Sequence, residues 1–475
     1  MSSNYIDKKA LSVDSPHCPA ADDAGAGVGN GSVIEQNDEV FGRGDGDVDF
    51  CTVGWMHAAM IFLKIIFATG VLSIPSVMFD LGAVPGSIVL VSFTVLNGYS
   101  AIIQGNFRRR HPSCHSIADM AGVVGGVVLR EITSVLFVAS YVITAASGII
   151  GVSASLNALS SHAACTIWWS LIATVVIFLC ASIRRFSNIS WLTWVGFFSV
   201  FTAVLVVVIG VTLQDRPAAA PPTGDFDLGF NGVGHPSFAA GVSAAITMFV
   251  SCAATSAFLP VMAEMKQPKD YDKAVYVCMG FVTASYLAFT MVMYYWCGQW
   301  IASPSLGSAG PVLKKVSYGI AFPGLIVSGC LYVHVPAKYL FVRILRNSEH
   351  LQKSSWIHWA TWLSCTSICS ILAFILASAI PIFNYILALV GSVCYAPLTI
   401  SLPGLLWVFD HWHPSSWKES SWQRKAALVF HLGLILLGLF MMVSGTYSVA
   451  LQIRNAYAQG TIDSAFSCAD NSGTV

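Results

Sequence analysis

The chain has 475 residues, of which 55% are hydrophobic and only 10% charged, where an ordinary soluble domain carries about 25% charged residues. So few charges cannot cover a soluble protein of this size, and 24 basic against 24 acidic side chains leave no basic excess for nucleic acid. Thirteen cysteines stand singly without CxxC spacing, which argues against a metal cluster or a disulfide framework.

Residues 1–50 are rich in Gly, Asp, Ser and Asn and contain no long apolar run, so they read as a disordered cytosolic tail rather than a cleavable signal. Eleven apolar segments follow, most of them near or above the roughly 20 residues a helix needs to cross the hydrocarbon core. They cover 55–81, 85–106, 128–157, 167–183, 188–213, 237–264, 274–297, 319–342, 357–379, 382–409 and 426–450. The expected fold is an all-α polytopic membrane protein of eleven transmembrane helices, with one membrane domain over 51–455 and a short extracellular tail over 456–475. With the amino-terminal tail inside, nineteen Lys and Arg residues fall on the cytosolic side and only Arg216, Lys314, Lys315 and Arg454 outside, which sets the orientation by the positive-inside rule. The Asn-x-Ser sequons at Asn30 and Asn188 are then cytosolic and should carry no glycan.

The first segment holds Gly70 and Pro75 at mid-membrane, and a proline that removes a donor and crowds the preceding turn predicts an unwound or kinked helix there. Thr69, Gly70, Val71 and Ser73 are the candidate substrate contacts. Two turns earlier lies Lys64, read either as a snorkelling lysine or as a proton carrier. The third segment contributes Tyr141 as an aromatic flank for a substrate side chain, with packing as its alternative.

The sixth segment offers the counterpart break, a run of small residues from Ser251 to Ala257 followed by Pro260. Its candidates are Phe249, Ser251, Cys252 and Thr255. Irregular backbone at membrane depth is tolerated where it lines a cavity, and two interrupted helices at matching positions of an inverted repeat are the best sequence pointer to a transport site. Freed amides suit a carboxylate and freed carbonyls an ammonium, so a zwitterionic amino acid satisfies both. Kinks that serve only packing are the competing explanation. The eighth segment adds Ser328 as a hydroxyl ligand and His334, which titrates near neutral pH and reads as a proton relay or a packing histidine. On this topology Cys165 and Cys468 share the outer face, where a disulfide is favoured over two free thiols.

Gly70-Val71-Leu72-Ser73-Ile74-Pro75, Leu81-Gly82-Ala83-Val84-Pro85-Gly86 and Pro260-Val261-Met262-Ala263-Glu264-Met265 give the chain its family resemblance. Ala337 to Arg343, Ile380 to Asn384, Leu389 to Ser392, Gly445-Thr446-Tyr447 and Ala465 to Cys468 extend it over roughly 50–470. In these residues the sequence resembles the amino acid/auxin permeases, and within them the fungal neutral amino acid permeases. Ala68 stands where that family commonly has glycine, which would narrow the backbone approach and alter selectivity. The resemblance implies the five-plus-five inverted-repeat (LeuT-like) fold with helices 1 and 6 broken. It also implies secondary active import of a neutral amino acid with a co-transported proton, from within the lipid bilayer, at the plasma membrane or alternatively the vacuolar membrane. No cofactor, metal or nucleic acid is expected. A sodium-coupled carrier and a non-transporting amino acid receptor remain the alternatives, and the sequence lacks the motif of an intramembrane enzyme or a channel filter.

Overall fold

The computed structural model describes residues 53–67, 70–183, 186–346, 348–351, 353, 355–380, 382–412, 421–459 and 466–472. Thr69, the tail over 1–50 with Asn30, and the side chain of Asn188 lie outside them. Among the described residues all regular structure is helical except one isolated parallel bridge, Val53 to Met265.

The first span is α1 (Trp55–Ile66) and α2 (Gly70–Leu81), bent by 46°. Next come α3 (Ala83–Arg110), α4 (Ile117–Ser160), α5 (Thr166–Ala181) and α6 (Phe186–Thr212). The sixth span is α7 (Phe238–Val250) and α8 (Phe258–Ala263), joined by a 3-10 turn over Ala254–Ala257. Then follow α9 (Tyr271–Cys297), α10 (Pro311–Leu345), α11 (Trp356–Ala379), α12 (Phe383–Val390) continued through two π turns into α13 (Leu402–His411), and α14 (Trp422–Ala458). Nine helical stretches among the described residues are long and apolar enough to cross a membrane, and the bent α1–α2 pair makes a tenth. Over the fourth predicted segment, α5 is apolar but only 16 residues long.

Successive spans run antiparallel, so the connections collect at two ends. One end carries the ion pairs Arg109–Asp272, Arg110–Asp410, Arg346–Asp119 and Lys338–Glu264, and is called here the basic end. The other carries the disulfide between Cys165 and Cys468, whose Cα atoms are 4.5 Å apart. At that disulfide end the loop between α6 and α7 pairs with the α2–α3 corner, where Ala83 N donates to Asn231 O at 3.0 Å and Gly234 N to Leu81 O at 2.8 Å. Gly82 turns that corner at φ 84°, a conformation glycine adopts at no steric cost.

The broken sixth span is the interior of the bundle, with 89% of its apolar window buried, against 28% for α14 on the rim. Small residues let the scaffold close: a Cβ on Gly148 of α4 would lie 3.0 Å from the Gly329 Cα of α10, the contact by which membrane helices gain dispersion without a hydrophobic drive. The first part of α4 is a separate helix, opened by a capping box between Ser116 and Asp119 and hinged at Gly125 and Gly126.

Candidate functional site

The first break falls about two turns ahead of Pro75. The chain leaves α1 at Ile66 and α2 begins at Gly70, with Pro75 inside it. In the sixth span Pro260 occupies the first turn of α8, where its missing N–H is one that a helix leaves unsatisfied anyway. The break lies ahead of it, across Ser251 to Ala257.

A helix end leaves its last carbonyls without internal partners, and here phenols supply them. Tyr332 Oη donates to Ile65 O at 2.8 Å, and Tyr286 Oη donates to Ile66 O at 2.8 Å while lying 3.2 Å from Ser251 O. Tyr141 Oη lies 3.1 Å from Ala254 O and 3.0 Å from Ser256 Oγ. Ser73 Oγ donates to Gly70 O at 2.9 Å and meets Ser251 Oγ at 3.1 Å, which joins the two breaks. The first-turn amides of α2 start beside these carbonyls, so acceptors and donors for a zwitterion converge on one place.

At that place is a small space of about 10 Å³, walled by residues that include Ile66, Gly70, Thr144, Ser251, Tyr332 and Tyr395. This is about the room of one water, so the spans must part to admit any amino acid. Of the sequence candidates, Gly70 and Ser251 are on the wall, with Ser73 hydrogen-bonded to both. Val71 is buried in the first turn of α2 and Thr255 in the 3-10 turn. Cys252 faces span two, where Asn97 Nδ2 donates to its Sγ at 3.3 Å. Phe249 also turns away, against Phe93 at 5.3 Å between ring centroids. Ser328 sits one turn from Tyr332 on α10, its hydroxyl returned to Gly324 O at 2.8 Å.

His334 is buried on the far side of α10, with Nδ1 3.4 Å from Ala181 O of α5 and its ring 5.2 Å from that of Trp362 on α11. Lys64 is fully buried, its Cε 2.9 Å from where a Gly196 Cβ would stand, and its Nζ has no hydrogen-bond partner among the described residues. It is therefore enclosed between α1, α6 and α10. The polar wall residues not singled out from sequence are Thr144, Tyr332 and Tyr395, together with the capping Tyr286. Their one visible signal is phenols and a hydroxyl within otherwise apolar spans.

Two interrupted helices whose ends face each other inside a bundle of membrane spans define a transporter rather than an enzyme. The sequence profile of the family described as transmembrane amino acid transporter protein matches residues 52–449, and the chain belongs to that family. It is similar to a transmembrane transporter of Gibberella moniliformis, 45% identical over 95% of this chain and 94% of the relative. It is also similar to the N amino acid transport system protein of Neurospora crassa, 27% identical over 90% of each chain. Among solved structures it shares the fold of MhsT in complex with L-phenylalanine, with a TM-score of 0.54 at 13% identity over 83% of this chain and 98% of that one. A Na+-coupled sialic acid symporter aligns with a TM-score of 0.53 at 13% identity, covering 90% of this chain and 93% of that one. The chain is thus a multi-pass integral membrane protein of an amino acid transporter family.

Proposed function

We propose that this transporter imports neutral amino acids by proton symport. The observation that carries the neutral specificity is the wall of the central space, on which none of the described residues is Asp, Glu, Lys or Arg. Backbone amides and carbonyls at the two breaks hold the α-carboxylate and α-ammonium, and Thr144, Val250, Leu387 and Tyr395 receive an uncharged side chain. A charged side chain there would be desolvated without a counter-ion. Thr69 and Val71, beside Gly70 in the chain, extend the carboxylate contacts.

Lys64 is the coupling group the geometry supports better. It belongs to the same helix as Ile65 and Ile66, whose carbonyls the site uses, whereas His334 packs on α5 and α11. In this reading α5 completes eleven spans, and the first ten form a five-plus-five inverted repeat broken in spans one and six. The basic end is cytosolic by its Lys and Arg excess, and the disulfide end faces outward at the plasma membrane.

Radiolabelled uptake in a permease-deficient yeast, with competition by all twenty amino acids, tests the proposal. Competition by neutral amino acids alone is the expected outcome. Equal competition by lysine or glutamate would exclude neutral specificity, and absence of any uptake would leave a receptor.

A further inference from the structure

A larger cavity, about 280 Å³, opens toward the basic end between α4, α8 and α10. Its walls are mostly apolar, with Pro260, Ala263, Val335 and Val342 among them, and it contains one deeply set pair of opposite charges, Glu264 and Lys338. Only 4% and 12% of those side chains are exposed, and Lys338 Nζ donates to Glu264 Oε1. Of the other cations on the wall, Arg130 and Arg343 share Glu131, and Arg346 pairs with Asp119.

This cavity is close to the central space. Val335 lines the one and Tyr332 the other, three residues apart on α10, which is about one turn or ~4.5 Å of helix. Between them stands an aromatic column from α4 to α10, Tyr141 to Phe137 at 5.0 Å and Phe137 to Tyr339 at 5.2 Å between centroids, that ends on the cavity. The pair also spans two kinds of element: Glu264 ends α8, the inner half of a broken helix, and Lys338 belongs to the continuous α10. The α8 end is further joined to the start of the first span by Val53 N donating to Glu264 O at 2.9 Å, and α8 stacks on α1 through Phe258 and Phe62 at 3.9 Å.

Separating a buried ion pair strands two charges in a poor solvent. An anion entering the cavity satisfies Lys338 and leaves Glu264 bare; a cation does the reverse. A zwitterion alone presents a carboxylate to one and an ammonium to the other, so α8 can part from α10 with both charges still partnered. The apolar walls then take the side chain. We propose that Glu264 and Lys338 form a second, transient binding site for the zwitterionic head of an α-amino acid, one helical turn inside the central site and on the route to the basic end. The inference rests on the amino acid transport reading above and adds the residues that bind substrate at the inner face.

The test is saturable flux measured from each face in sealed vesicles, since KM does not depend on how much of a variant is folded. Glu264→Gln and Lys338→Met are each expected to raise KM from the basic end by about tenfold or more, the scale of losing a charge-assisted hydrogen bond, with KM from the disulfide end within about twofold. The exchanged pair Glu264→Lys with Lys338→Glu accepts the zwitterion reversed and should regain most of the basic-end affinity. An unchanged basic-end KM in both single variants, while wild type transports, overturns the second site alone and leaves the pair as a brace. Wild-type vesicles that carry no amino acid in either direction overturn the transport reading and this one together.

Discussion

Gly70 and Tyr286 touch across the first break, where a Cβ on Gly70 would stand 2.7 Å from Tyr286 Oη and 2.6 Å from Ser251 O. Backbone cannot yield as a flexible side chain does, so any side chain at 70 pushes the two broken spans apart. Gly70→Val is expected to lower uptake on the order of a hundredfold, the scale of misplacing a binding group by about 1 Å, with surface expression retained. Normal uptake by that variant would move the site elsewhere.

Tyr286 and Tyr332 together cap Ile66 O and Ile65 O. Removing either hydroxyl leaves a buried carbonyl unsatisfied, at a cost of about 1–3 kcal/mol. Tyr286→Phe and Tyr332→Phe should each lower the melting temperature in detergent and reduce uptake. Tyr276→Phe, at a position 67% exposed, should do neither. Thermal melts of the three variants side by side decide the point.

The spans were legible because twenty apolar residues in succession have few other uses in a chain this poor in charge, and Gly70 and Ser251 marked both breaks. The phenols were not. Spans that are apolar all round carry little periodic signal of which face points inward, so nothing in the sequence distinguishes Tyr286, Tyr332 and Tyr395 from tyrosines on the rim. The same ambiguity separates His334 from Tyr332: they lie two residues apart on α10, and only the packing of α5 and α11 shows that they face opposite ways. Pro75 was expected to mark the rupture of the first span, yet it sits within α2, since one missing amide costs one hydrogen bond while the change of direction occurs ahead of it. The hinge at Gly125 and Gly126 was visible as a glycine pair, but it lies ahead of the third predicted segment and was not used.

The carboxyl-terminal residues 466–472 cross the disulfide end and touch four helices. Phe466 N donates to Ser378 O of α11, Thr166 Oγ1 of α5 to Ala469 O, Asn471 Nδ2 to Ser153 Oγ of α4, and Tyr318 Oη of α10 to Ser472 O. With Cys468 bound to Cys165, this segment straps those helices together at a distance from the breaks. Cys468→Ser should therefore destabilise the protein by about 2 kcal/mol or more, read as a lower melting temperature, with substrate KM unchanged. An impermeant maleimide should label Cys165 and Cys468 only after reduction. Rapid labelling of both without reductant would rule out the bond.

The proposed proton coupling makes the proton a co-substrate, so on that proposal uptake should rise as external pH falls, collapse with a protonophore, and persist when choline replaces sodium. A bound sodium ion needs several oxygen ligands, and Ser328 is the one serine hydroxyl that α10 offers one turn from Tyr332. Lys64 meanwhile places an amine between α1, α6 and α10, where its positive form repels a second cation and its neutral form accepts a proton. Lys64→Met should abolish the dependence of uptake on external pH and on the protonophore while leaving exchange of internal for external substrate intact. His334→Gln, altering a group that faces α5 and α11, should keep that dependence with at most a loss of stability. Uptake measured from pH 5 to 8 for both variants separates the two residues: a retained pH response in Lys64→Met together with its loss in His334→Gln reverses the assignment, and loss of wild-type uptake on removing sodium rejects proton coupling itself.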